Sequence, residues 1–249
     1  MRLFVHELKA QQRLFWRSRE LAFFTFMLPV LLFFLLGSTY GDDEIEGVRG
    51  ADYLLAGMLG YGAVSTTFAG LAILLVIRRE QGILKRLRAT PLPASTYLTA
   101  VLASIVLVFA LETVLMITIG RLVFDTDLPD RWLSLALTLL LGSVAFAALA
   151  VGLSGLVRSA EGSSAVVNAI YLPLSFISGA FFAPESFPGF LEAIANVLPL
   201  TYFIELVRDV MLHDSQIWEE PTAVAMVAAW GAVGLVAALR YFRWEPRER

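Results

Sequence analysis

Residues Leu21–Tyr40, LAFFTFMLPVLLFFLLGSTY, carry no charged side chain. A helix rises ~1.5 Å per residue, so about 20 apolar residues cross a ~30 Å hydrocarbon core. Five further stretches meet or approach that length: Tyr53–Ile77, Leu98–Gly120, Leu133–Val157, Ser164–Phe182 and Ala223–Leu239. Charges fall almost entirely between the stretches. With no water in the core, each backbone polar group must be paired within its own segment, which leaves helices as the reading. The sequence therefore predicts an all-α membrane protein with six transmembrane helices.

Composition agrees: 58% of the 249 residues are hydrophobic, against about 45–50% in soluble domains. The six stretches use up most of the chain, so the expectation is a single transmembrane domain over residues 1–249. Cys is absent, which excludes disulfide, thiolate–zinc and thiol chemistry. The N-terminal region has too long a basic part and too long an apolar run for a cleavable signal peptide.

Lys and Arg set orientation. Arg2, Lys9, Arg13, Arg17 and Arg19 precede the first stretch; Arg78, Arg79, Lys85, Arg86 and Arg88 follow the second; Arg158 follows the fourth. Arg240, Arg243, Arg247 and Arg249 follow the sixth. In a six-span layout all of these share one side, leaving Arg49, Arg121, Arg131 and Arg208 on the other. Asp42, Asp43, Glu44, Glu46, Asp52, Asp125, Asp127 and Asp130 crowd that second side. Both termini are therefore expected in the cytoplasm, in a multi-pass protein of the plasma membrane.

Three connecting segments have patterns of their own. In residues 1–20, Arg2, His6, Lys9, Arg13 and Arg17 fall on one helical arc, and Phe4, Leu8, Leu14 and Phe15 roughly opposite. Such a two-faced helix lies in the membrane interface. Residues 78–97, RREQGILKRLRATPLPASTY, predict a short amphipathic helix with Ile83, Leu84 and Leu87 on one side, stopped by Pro91 and Pro93. Within 183–202, Phe187, Phe190, Leu191, Ile194 and Leu198 recur at helical spacing around Pro188 and before Pro199. That stretch is apolar but too short to span, and reads as a re-entrant piece dipping into the outer leaflet.

Familiar catalytic signatures are missing: there is no G-x-x-x-x-G-K-[ST] loop, H-E-x-x-H or G-x-S-x-G, and His6 and His213 are the only histidines. Glu112 is the one ionisable residue well inside a predicted span. An intramembrane acid is costly and marks a functional position by default. Two readings stand open: a hydrogen-bonded packing residue, or a wall of a substrate path. A membrane enzyme would need a constellation of such groups, and a channel would need polar rings along several spans; the sequence disfavours both.

Three patterns together resemble the permease subunits of type-two ABC exporters, in their drug-resistance-like branch. They are Phe15–Pro29 (FWRSRELAFFTFMLP), Arg78–Pro93 (RREQGILKRLRATPLP) and Ser178–Tyr202 (SGAFFAPESFPGFLEAIANVLPLTY). The second departs from the family at Gln81-Gly82-Ile83, where many relatives place a charged residue before the glycine and a threonine after it. The resemblance implies a non-enzymatic transport subunit that pairs with a second permease, as homo- or heterodimer. It also implies a separate ATP-binding subunit that holds ATP and Mg, with no cofactor in this chain. Partners would be these proteins and membrane lipids, not nucleic acid. Glu80, Gly82, Leu84, Lys85, Arg86, Leu87 and Arg88 would couple to the ATPase, and Pro184, Phe187, Pro188 and Pro199 would belong to a lid over the export path. Amphipathic drugs or lipid-like molecules are the implied substrates, with polysaccharide or lipid-linked glycan as the alternative.

Overall fold

Uncharged apolar runs become long helices in the computed structural model, which describes residues 1–182 and 187–246. The chain opens with α1 (Arg2–Arg17) and, after a break at Ser18, α2 (Arg19–Tyr40). A two-residue-per-strand hairpin, Glu44–Ile45 with Val48–Arg49, leads into α3 (Gly50–Gly62). The helix then widens to π-helical hydrogen bonding over Ala63–Gly70 and returns to α geometry as α4 (Leu71–Glu80). A turn at Gln81–Gly82 leads to the six-residue α5 (Ile83–Arg88), then α6 (Ala94–Val123) and α7 (Trp132–Leu156). The last elements are α8 (Ala160–Ile177), α9 (Gly189–Ala195), α10 (Pro199–Leu212) and α11 (Pro221–Tyr241).

Among the described residues, α2, the run Gly50–Glu80, α6, α7 and α11 are long and apolar enough to cross a membrane. The fifth expected stretch forms α8, displaced toward the N-terminus. Ser159 caps its start by accepting the backbone N–H of Gly162, and the chain leaves the helix at Ser178 and Gly179, whose φ is 84°. With 18 residues, α8 is about 27 Å long, at the lower limit for a crossing. The non-spanning segment also runs further than its sequence pattern predicts. Instead of ending at 202, it is a pair of helices, α9 and α10, bent by 79° to each other and reaching Leu212.

Position in depth follows from the contacts. The indole Nε1 of Trp230, nine residues into α11, donates to Val197 O at 3.0 Å, in the bend between α9 and α10. At ~1.5 Å per residue that bend lies about 14 Å inside the end of α11. From there α10 climbs back to the same end, where Arg131 Nε donates to Asp214 O. The pair is thus bent at depth, and α10 leaves at the end where α11 begins.

The run Gly50–Glu80 is the hub. Every residue of α3 is buried, against α2, α6 and α10. Small residues let helix backbones touch where hydrophobicity supplies no drive: Gly57 abuts Ala180 O, and Gly60 abuts the Ile204 side chain. A second tight seam joins α7 to α11. A Cβ on Gly234 would lie 2.5 Å from Leu149 N, one on Gly152 would lie 2.8 Å from Ala237 Cβ, and Gly155 abuts Tyr241 O.

Apart from Glu112, buried within α6, the charged residues of the long helices gather toward the two ends. One end gathers α1, the α4–α5 elbow, the α7–α8 corner and the C-terminal residues: Arg78 Nη1 donates to Tyr97 OH at 2.8 Å, and the Tyr97 and Trp244 rings lie 6.4 Å apart. At the other end Arg49 donates to Phe124 O and Asp125 O, and Asp52 Oδ1 accepts Asp127 N–H at 2.8 Å. Helix α1 lies along the first part of α6, where Gln12 Nε2 donates to the carbonyl and hydroxyl of Ser104. Phe4, Leu8 and Phe15 are half-buried there, whereas Leu14 is exposed with Lys9, Arg13 and Arg17. The apolar arc of α1 therefore packs largely on the protein itself.

Candidate functional site

A groove of about 450 Å³ is bounded by α1, α2, the π-helical segment, α4, α6 and α8. Its walls are mainly apolar and aromatic, with Phe15, Phe24, Leu28, Pro29 and Ile73 among them. Polar groups interrupt that surface, among them Gln11, Tyr61, Ser65, Thr66, Ser104, Asn168 and Tyr171, and Arg78 adds a cationic side chain. Pro29, the proline of the first span, is buried on the wall. At one end of the groove Tyr61 meets Tyr171 at 6.3 Å and Phe181 at 5.4 Å between ring centroids, and Phe181 packs on Phe176 at 4.8 Å.

The π-helical segment shapes this wall. Hydrogen bonding to i+5 widens a helix, and such stretches are frequent at functional sites. Hydroxyls serve the backbone there: Thr67 Oγ1 donates to Ala63 O at 2.7 Å and Ser65 Oγ to Gly62 O at 3.2 Å. Thr66 turns the other way, donating at 2.8 Å to Glu112 Oε2 on α6. Glu112 is 1% exposed, and its Oε1 has no hydrogen-bond partner among the described residues. That oxygen rests against Gly62, where a Cβ would lie 2.7 Å away. Thr66 touches the groove and Glu112 sits one side chain behind it, outside the lining.

The elbow residues separate into inward and outward groups. Gly82 takes the left-handed conformation, φ 69°, that turns α4 into α5. Leu84 is fully buried and Leu87 packs against the core, while Lys85, Arg86 and Arg88 are exposed. Glu80 is engaged within the chain: its Oε1 lies 3.0 Å from Arg79 Nε. The guanidinium of Arg79, 2% exposed, also donates to Ser154 O and Val157 O, both at 2.7 Å.

In the re-entrant element Pro188 is exposed ahead of α9, Phe187 is half-buried, and Pro199 is buried at the first turn of α10. Pro184 lies outside the described residues. Arg208 stacks on the Tyr53 ring at 3.6 Å to its centroid and donates to Gly179 O at 2.6 Å, tying α10 to α3 and to the end of α8. The elbow and the re-entrant element lie toward opposite ends of the bundle, and the groove lies between them. Tyr61, Thr66, Arg79 and Arg208 were not singled out as site residues by sequence reasoning. The adjacent basic pair Arg78-Arg79 was the only available signal, and it reads equally as a topology flank. Among the described residues no group of three or more His, Asp or Glu could hold a metal ion.

The sequence pattern of the ABC-2 type transporter family matches residues 2–212. The chain is similar to the Bacillus subtilis protein named "Putative transport permease YvfS", 23% identical over 204 residues that cover 82% of this chain and 83% of that protein. Similarity extends to Nodulation protein J of Rhizobium meliloti, 27% identical over 74% of this chain and 71% of that protein. Inner membrane transport permease YadH of Escherichia coli is 24% identical over 70% of this chain and 67% of its own length.

Proposed function

The chain belongs to the ABC-2 type transporter family, and from that premise we propose that it is the permease subunit of an exporter moving amphipathic drugs or lipid-like molecules out of the cell. A separate ATP-binding subunit supplies the energy, holds ATP and Mg, and docks at the exposed basic residues of the α4–α5 elbow. A second permease subunit completes the path. The basic end of the bundle, with both termini, faces the cytoplasm, and the re-entrant α9–α10 pair closes the outer side.

The observation that carries this reading is the groove. At about 450 Å³ it falls within the ~300–1,000 Å³ of small-molecule sites. Its apolar and aromatic walls suit an acyl or aromatic body, and its scattered hydroxyl and amide groups, with the Arg78 guanidinium, suit one polar end. A glycan chain would call for a wall richer in hydrogen-bonding groups, so the amphiphile reading is favoured over polysaccharide export.

The test is reconstitution of the chain with its ATP-binding subunit in proteoliposomes. Efflux of a fluorescent amphipathic cation and of a fluorescent phospholipid is followed with and without ATP, beside a lipid-linked glycan. ATP-dependent movement of either amphiphile supports the reading. Movement of the glycan alone overturns the substrate class, and transport that ignores ATP overturns the mechanism. The purified single chain is expected to hydrolyse no ATP.

A further inference from the structure

An arginine at the edge of a membrane helix usually extends its charged head into water. Arg79 does the opposite. It sits in the last turn of α4, is 2% exposed, and engages all three guanidinium nitrogens: Nη1 with Ser154 O at 2.7 Å, Nη2 with Val157 O at 2.7 Å, and Nε with Glu80 Oε1 at 3.0 Å. The final carbonyls of a helix lack intrahelical donors and carry the negative end of its dipole. Arg79 therefore grips the C-terminus of α7 at the point where the chain turns into α8.

The neighbouring residue grips a different helix. Successive helical residues project about 100° apart, and Arg78 reaches Tyr97 OH on α6 at 2.8 Å. The elbow that follows is itself anchored by the buried Leu84. A lysine would keep the charge of Arg79 but lacks the planar fork that makes divergent contacts.

We infer that Arg79 is the positioning residue that locks the α4–α5 elbow to the α7–α8 corner, so that the two shift as one body and a push on the elbow reaches α7 and α8. Glu80 then serves as its counter-ion inside this subunit. The inference deepens the proposed docking of an ATP-binding subunit at the elbow and names the internal joint beyond it.

Because the chain has no cysteine, single pairs of spin labels can be placed cleanly at Lys85→Cys and Leu156→Cys, both exposed. Without nucleotide or partner, the distance distribution is expected to be narrow in the parent chain and at least twofold broader with Arg79→Met or Arg79→Lys. In the reconstituted complex, unlabelled Arg79→Lys is expected to raise ATP hydrolysed per molecule exported several-fold while hydrolysis stays within twofold. Glu80→Gln should shift the same ratio, and the double variant should not add to it. If Arg79→Met does not fold, Arg79→Lys and Glu80→Gln decide the matter. An unchanged distribution, or an unchanged ratio in Arg79→Lys, overturns the joint. If the parent complex moves no substrate with ATP, the transport reading fails while the label distances still judge the joint.

Discussion

Gly62 and Glu112 occupy one another's space: a Cβ at position 62 would stand 2.7 Å from Glu112 Oε1 and 3.2 Å from its carboxyl carbon. The glycine makes room for a carboxyl group inside the bundle, and Thr66, one turn on, supplies its hydrogen bond. Gly62→Ala must push the carboxyl away and weaken that bond. Overpacking of this kind costs about 1–3 kcal/mol. The thermal midpoint of the purified protein should fall by several degrees, and a midpoint equal to the parent's would show that the space was never needed.

Glu112→Gln retains the shape and an acceptor for Thr66 but removes the ionisable group. Since Glu112 stands behind the groove lining, export of cationic and neutral amphiphiles should both continue at near-parental rates. Selective loss of the cationic substrates in a paired efflux assay would instead put the carboxylate in contact with cargo. Thr66→Val should cost about 0.6 kcal/mol and at most ~1.7 kcal/mol, the range for side-chain hydrogen bonds between membrane helices.

At the elbow, Gly82 has φ 69°, a conformation that costs an ordinary L-residue roughly 1–2 kcal/mol and that Asn tolerates better. Gly82→Ala should re-aim Lys85 and Arg86 and reduce cysteine crosslinking from position 85 to the ATP-binding subunit. Gly82→Asn should restore most of it. Equal crosslinking in both variants would count against a fixed elbow direction.

The α7–α11 seam offers a graded test. A Cβ at Gly231 would lie 3.1 Å from Ala145 Cβ, whereas one at Gly234 would lie 2.5 Å from Leu149 N. The first also meets Ala145 Cα at 3.2 Å and needs a shift of only a few tenths of an ångström, whereas the second runs into the α7 backbone itself. Gly231→Ala should leave a monodisperse protein by size-exclusion chromatography, and Gly234→Val should lose most of it to aggregation. The reverse order would mean the two helices separate readily.

The spans were legible because a bilayer imposes length and apolarity, and the run from Leu21 to Tyr40 can satisfy its backbone in no other way. The boundaries of α8 were less so. A serine cap at Ser159 and a left-handed Gly179 outweigh hydropathy, which alone prolongs that helix to Phe182. The π-helical segment leaves no signature in AVSTTFAG, since its wider bonding depends on neighbours packed against it. Arg79 shows the same limit. A basic residue after an apolar run reads as a flank, and only the folded chain brings the end of α7 within its reach. Glu112 was visible as an anomaly, but its partner on another helix was not.

With four glycines at or near backbone contact, α7 and α11 pack closely, with only small side chains such as Ala145 and Ala237 between them. Leu235, Val236 and Leu239 nevertheless stand exposed on α11. A fluorophore on any of them should therefore report on α7, a helix with more than ten buried residues, from an exposed face of the bundle and without a label inside the protein.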